Sequence, residues 1–361
     1  MRSLRLAGLA ATVVLSLHLS AGTATAQNAK PRPADAVLAE LTAMQPPTID
    51  PKDYSNQEVV KAYREASGKF AEKRAALAWE LYQADAKNDQ VATLLPERWR
   101  WLLQTQKADQ VVTETKSVLK DHSTGPLAMT AAYSHAEAVG RTKGAGSAEY
   151  LKAADDFRAM DPKNEKGARL YMEIGNDAFY SETDRSADAL KAYKRVLELY
   201  PESRVAKAAT GKVRQYETMG KPFEFSFTDA ITGKTITSKD LKGKVVVVDF
   251  WATWCGPCVA DMPHMKDLYK EYKDRGVEFV GISLDNPEDK GGLTKLKEFV
   301  QKEEIGWPQY YQGKGWESEF STSWGINSIP ALFVVDKNGN LYTNQGRGKL
   351  EEIIPKLLKQ D

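Results

Sequence analysis

The chain has 361 residues and a net charge of +1, from 50 Lys and Arg against 49 Asp and Glu. No basic stripe or acidic block runs along it, which argues against nucleic acid or an anionic lipid surface as a partner. The length predicts at least two domains, and two cysteines with four histidines leave little material for a metal centre.

The chain opens on Met1-Arg-Ser-Leu-Arg5, an apolar run from Leu6 to about Leu19, then Ala24-Thr-Ala26. A basic start, a short apolar core and an A-x-A site predict a secretory signal peptide over 1–26, cleaved after about Ala26. The apolar run is short for a membrane span. No cysteine lies near the cleavage site, so a lipid anchor is not expected. The mature protein is therefore expected to be soluble and periplasmic or otherwise extracytoplasmic. Residues 27–57 carry Pro31, Pro33, Pro46, Pro47 and Pro51 and read as a tether with one short helix.

From 58 to 219 the sequence is rich in Ala, Lys and Glu, with helical periodicity and almost no strand signal. An all-helical, repeat-like domain is predicted. Ala189, Tyr193, Val196 and Pro201 resemble the second helix and closing proline of a tetratricopeptide repeat. Tyr171, Ile174 and Gly175 resemble its first helix, if the turn near Glu182 is longer than usual. Asp161-Pro162 echoes Tyr200-Pro201, though not at the period of such repeats, and Trp79, Trp99 and Trp101 match more loosely. The resemblance implies a concave face that binds a protein or peptide. A helical spacer or a dimerisation domain is the alternative reading.

Gly220-Lys-Pro222 marks the boundary to a second domain over 220–361. Lys244-Val-Val-Val-Val-Asp249-Phe250-Trp251 reads as a buried strand. Beyond Cys258, Met262, Met265, Leu268, Tyr269 and Tyr272 recur at helical spacing as far as Lys273. Between strand and helix stands Trp254-Cys255-Gly256-Pro257-Cys258, which holds both cysteines of the chain. A disulfide across so short a loop restrains the unfolded chain very little, so opening and reclosing it is the better use. Pro257 suits the first helical turn. Cys255 then sits at the helix N-terminus, where the macrodipole and free N–H groups favour a thiolate. Cys255 is thus the expected exposed nucleophile, and Cys258 the more buried resolving thiol.

Asp249-Phe-Trp-Ala-Thr-Trp-Cys-Gly-Pro-Cys258 closely resembles the signature of the thioredoxin superfamily. Pro263 matches the family's helix-kinking proline. Ile329-Pro330-Ala-Leu-Phe-Val-Val-Asp336 resembles the segment that carries its cis-proline. The resemblance implies that Asp249 is a buried acid acting through water on the resolving cysteine. It also implies that Trp254, Gly256, Pro257, Ile329 and Pro330 shape a substrate groove beside the Cys255–Cys258 disulfide. One position departs: where thioredoxin carries a lysine near the acid, this sequence has Gly281. The opening hairpin over 222–243, the long stretch from Cys258 to Pro330 with an amphipathic helix over 293–303, and an acidic residue at Asp261 resemble the TlpA/ResA-like redoxins. In that branch an acid at this position is a candidate aid to proton transfer; a solvated helix-surface aspartate is the alternative. Trp251 is expected to pack inside, as are Trp307, Trp316 and Trp324.

Other uses of two cysteines fit less well. Zinc takes four ligands, and of His18, His122, His135 and His264 only His264 stands near the pair. Covalent haem needs a histidine after the second cysteine, where Val259 stands. The expectation is an α + α/β protein: helical repeat-like domain first, then a thioredoxin-like fold with a central mixed sheet flanked by helices. Its expected activity is extracytoplasmic thiol–disulfide exchange, in the reducing direction because Gly-Pro between the cysteines is thioredoxin's own pair. Thioredoxin stands at about −270 mV against about −120 mV for DsbA. Protein disulfides are the expected substrates and a membrane-linked thiol the electron donor, with no metal or cofactor. A binding scaffold with an accessory redoxin domain and a thiol peroxidase are the alternatives.

Overall fold

The computed structural model describes residues 32–181 and 183–360. The leader expected over 1–26, with His18, and the residues Pro31 and Glu182 lie outside the described residues. The chain divides into a unit up to Leu95 and a unit from Pro96.

In the first unit α1 (Ala34–Ala43) packs against α2 (Gln57–Ala84). Arg32 spans the two, bonding Glu40 of α1 at 2.8 Å and Glu80 of α2 at 2.6 Å. The stretch expected as a tether thus contains a helix held to its neighbour. Helix α3 (Val91–Gln104) runs through the point of division.

The second unit continues with α4 (Ala108–Asp121), α5 (Gly125–Lys143), α6 (Ala148–Met160), α7 (Lys166–Phe179), α8 (Ser186–Leu199) and α9 (Ala206–Thr218), each packed on the next. The reason is visible in α8: Ala189, Ala192, Tyr193 and Val196 form one apolar stripe, and all four are buried. Tyr193 lays its ring where Gly175 of α7 has no side chain, and its hydroxyl donates to Asn176 Oδ1 at 3.1 Å.

Strands then begin. β1 (Ser226–Thr228) and β2 (Thr235–Thr237) form a small antiparallel hairpin. β3 (Val245–Trp251), α10 (Gly256–Tyr272), β4 (Val277–Ser283), α11 (Gly292–Lys302), β5 (Gln309–Tyr311), α12 (Glu319–Ser323), β6 (Ala331–Val335), β7 (Leu341–Thr343) and α13 (Leu350–Leu358) follow. The sheet order is β5-β4-β3-β6-β7. β3, β4 and β5 are parallel, β6 is antiparallel to β3, and β7 is antiparallel to β6. Every residue of β3 is buried, as its run of valines requires for a strand covered on both faces. This is a thioredoxin-like mixed sheet with flanking helices, preceded by a helical region.

The helical layer is not loosely strung to the sheet. The Gly220-Lys-Pro222 boundary segment, together with Met219, pairs along β7: Gly220 N–H donates to Leu341 O and Leu341 N–H to Lys221 O, both at 2.9 Å. Gln215 of α9 donates to Trp324 O and accepts from Asn344 Nδ2 at 2.9 Å. Arg214 stacks on Trp324. Two glycines make the closest approach: a Cβ on Gly211 would fall inside the backbone of Gly325. Backbone cannot swing aside as a side-chain tip does, so Gly211→Val should cost about 2 kcal/mol or more. For a unit of this size that lowers the melting temperature by roughly 4–8 °C. Thermal denaturation followed by circular dichroism checks this; an unchanged melting point means that the contact contributes nothing.

Candidate active site

β3 leaves the sheet at Trp251 and the chain enters α10 at Gly256. Cys255 is the N-cap of α10, in extended conformation, and its Sγ accepts from Cys258 N–H at 3.2 Å. Pro257 lies in the first turn, where its missing N–H costs nothing, and Pro263 lies inside the helix. Cys255 and Cys258 are joined by a disulfide with Cα atoms 5.3 Å apart. The exposure expected for Cys255 differs from what is found: Cys255 is 5 % exposed and Cys258 3 %. Both belong to the apolar core, and in the bonded pair each sulfur covers the other. The exposed group here is Trp254, at 46 %. Its ring lies 6.1 Å from that of Trp316, which is also exposed rather than packed inside. Trp251, Trp307 and Trp324 are buried.

The approach to Cys255 is held by a residue that the sequence analysis did not single out. Asp285, just past β4 and buried, accepts from Thr253 N–H at 3.1 Å and Thr253 Oγ1 at 2.6 Å. It also accepts from Ser283 Oγ at 2.7 Å. A polar residue two past a serine at the end of a buried strand was the available signal.

Asp249 sits on β3, 4 % exposed, and no described residue donates a hydrogen bond to its carboxylate. Burial pushes its pKa up to about 7; the negative charge of Asp261 adds to the rise and Arg347 opposes it. Gly281 stands directly beside Asp249 in the parallel register, so the departure from a lysine falls next to the acid. A side chain there is blocked, because Gln309 fills the space over Gly281 while accepting from Trp251 Nε1 at 3.0 Å. The cation near the acid comes instead from Arg347, which pairs with Asp261 at 2.9 Å. Local sequence gives no signal for Arg347, since it meets Asp261 across most of the sheet half.

Asp249, Cys258, Asp261, Pro330 and Arg347 line one cavity of about 170 Å³. That is ample for water, which needs only polar partners and about one probe sphere of room. Ile329-Pro330 is a cis peptide. His264, also on this cavity, pairs with Glu351 at 2.9 Å on a half-exposed surface. Among the described residues no cluster of His, Cys, Asp and Glu could hold a metal ion.

Residues 219–343 match the AhpC/TSA family. Thiol-disulfide oxidoreductase ResA of Bacillus thuringiensis subsp. konkukian (strain 97-27) is 34% identical over 137 residues, spanning 37% of this chain and 74% of the relative. ResA of Bacillus anthracis is similar to the same extent. The chain belongs to the ResA-like thiol-disulfide oxidoreductases. Among solved structures, a thiol:disulfide interchange protein of the thioredoxin family from Chlorobium tepidum TLS is 28% identical, with a TM-score of 0.32 over 38% of this chain and 94% of that one. The thioredoxin domain of a Bacteroides vulgatus thiol-disulfide oxidoreductase is 26% identical, with a TM-score of 0.32 over 37% and 94%.

Burial of Asp249 in this oxidoreductase has a cost that depends on pH. With the acid near 7 when folded and 3.8 as its ordinary value, the native state holds a proton that the unfolded chain releases between those pH values. Stability contributed by this group therefore falls as pH rises through that window. Asp249→Asn removes the titration. The oxidised variant should be more stable than wild type at pH 8, by on the order of 4 kcal/mol at most, with the gap closing toward pH 4. Denaturant unfolding at the two pH values measures it; a gap that does not depend on pH contradicts the buried-acid assignment.

Proposed function

We propose that the protein is an extracytoplasmic reductase of protein disulfides, working through Cys255 and Cys258. The observation that supports this best is the disulfide at the N-terminus of α10 with a buried carboxylate in the same cavity. In the proposed cycle the Cys255 thiolate attacks one sulfur of a substrate disulfide. A mixed disulfide forms and the other substrate sulfur leaves as a thiol. Cys258 gives its proton through water to Asp249 and attacks Cys255 Sγ. The second substrate thiol leaves, and the enzyme is left oxidised. Two electrons from a thiol donor, which we place at the membrane, restore the pair. Trp254, Gly256, Pro257, Ile329 and Pro330 form the groove in this reading, and Asp261 with Arg347 adjusts the proton affinity of Asp249.

Export rests on the basic, apolar and A-x-A pattern of residues 1–26. No helix among the described residues is long and apolar enough to cross a membrane. We divide the mature chain at residue 220 into a tetratricopeptide-like helical domain from 58 and a redoxin domain. The helix pair α7–α8, with Gly175 against Tyr193, favours the repeat reading, and with it a protein-binding role for the layer.

Cys258→Ser should accumulate mixed disulfides with its partners, which non-reducing electrophoresis and mass spectrometry identify. Cys255→Ser should lose insulin reduction altogether. The reduction potential should fall below about −200 mV, on the reducing side of the pair of reference enzymes. A higher potential contradicts the direction, and equal insulin turnover by wild type and Cys255→Ser contradicts the chemistry. With Asp249 as acceptor, the resolving step should speed up as pH rises through about 7. Asp249→Asn should slow that step by roughly a hundredfold and flatten the profile. Stopped-flow tryptophan fluorescence follows it.

A further inference from the structure

Where the helical layer meets the cis-proline loop there is a second, larger cavity of about 480 Å³. Phe179 and Tyr180 at the end of α7 wall one side, Lys212 and Gln215 of α9 the next, and the segment from Ile326 to Phe333 the third. The cavity adjoins the redox centre: Pro330, Leu332 and Arg347 line both spaces. Its walls are fixed by hydrogen bonds across the layer, Gln345 Nε2 to Phe179 O at 2.7 Å and Asn344 Nδ2 to Gln215 Oε1 at 2.9 Å.

Lys212 is the anomaly in this lining. It is 4 % exposed, its ammonium sits 4.0 Å above the centre of the Phe179 ring, and no described carboxylate pairs with it. Buried lysines in folded proteins are ordinarily paired, because desolvating the ammonium without an anion is costly. Burial alone draws this one down to about 8. The other charged side chains on the cavity are Arg347, already engaged by Asp261, and Lys349; no acid lines it among the described residues. The rest of the lining combines apolar side chains, among them Phe179, Ile329 and Phe333, with uncharged polar ones such as Asn327, Ser328 and Gln345. A buried, unpaired ammonium in a cavity that shares Pro330 with the one lined by Cys258 calls for an occupant that is anionic, partly apolar and long enough to reach both cavities.

We propose that this cavity is a substrate subsite that takes a carboxylate of the polypeptide undergoing exchange at Cys255, with Lys212 as its counter-charge. The inference rests on the exchange activity set out above and adds its specificity: a substrate segment with an acidic residue close to the cystine. It also gives the helical layer a direct part in recognition, since Lys212 comes from α9. Lys212 is a binding residue in this scheme and touches no reacting atom.

The test uses the full mature chain and short cystine peptides of one sequence, with Glu or Gln placed in turn at each of the few positions beside the cystine. The readout is the ratio of kcat/KM for the Glu and Gln peptides. A charge-assisted hydrogen bond in a buried site predicts a ratio of about ten or more at one position in the wild type. Lys212→Met and Lys212→Gln should each bring that ratio to about one, with melting curves showing that both are folded. A wild-type ratio near one at every position overturns the subsite, as does an unchanged ratio in the variants. The two replacements differ in polarity, and the wild-type ratio decides even if one of them fails to fold. Reaction of the reduced wild type with dithiodipyridine, which carries no carboxylate, separates the two claims. Consumption of that reagent without any Glu preference overturns only the subsite; no consumption overturns the exchange activity and the subsite with it.

Discussion

A strand buried on both faces has to hand its chain to the next element at a fixed place, and in this protein that place carries the Cys255–Cys258 disulfide, the proposed redox centre. β3 is locked between β4 and β6, so the backbone leaves the sheet at Trp251 with little freedom. Asp285 takes hold of Thr253 directly beyond it. What remains is a short path into α10, and it makes Cys255 the N-cap. The cysteine sulfur therefore occupies the position usually filled by a serine or aspartate oxygen, where unsatisfied N–H groups and the helix dipole favour negative charge. The chemistry of the sulfur follows from the packing of the strand.

The same packing sets the acid. Asp249 is one of the residues that β3 must bury, and nothing described donates to its carboxylate. The fold bears that cost because the flanking valines and aromatics cannot be buried without carrying the aspartate in with them. Gln309 closes the position beside it that would otherwise take a side chain from β4. Arg347 and Asp261, a pair at the cavity mouth, are left as the nearby charges, and they act on Asp249 in opposite senses.

Much of this was legible in the sequence because the signals were local. Four consecutive valines, a cysteine pair with Gly-Pro between, and apolar residues at helical spacing each lie within a few residues of one another, and each names its own element. The helical layer could be read from periodicity, and Gly175 and Tyr193 were each picked out by a resemblance to a tetratricopeptide repeat, though not their contact. What the sequence did not reveal was what depends on distant segments meeting. Arg347 meets Asp261 from 86 residues further along the chain, Lys212 shares a cavity with the cis-proline loop beside the close approach of Gly211 to Gly325, and Met219–Pro222 pairs with the edge strand β7. The exposure of Cys255 was misjudged for a related reason: position at a helix end says which atoms surround the sulfur, not what covers it from outside. Trp316, expected inside, stands at the surface beside Trp254 because the partner that places it is outside its own segment.

The helical layer and the sheet half, taken together, place a mixed apolar, polar and cationic surface next to the cavity that Cys258 lines. The account as a whole stands on unequal sulfurs: one at the helix end that attacks, one a turn inside that resolves. The most direct measurement is brief alkylation of the reduced protein with iodoacetamide at pH 6.5, followed by peptide mapping. The account predicts that Cys255 is labelled at least about tenfold faster than Cys258, as the helix N-terminus favours its thiolate. Equal labelling, or faster labelling of Cys258, would contradict it.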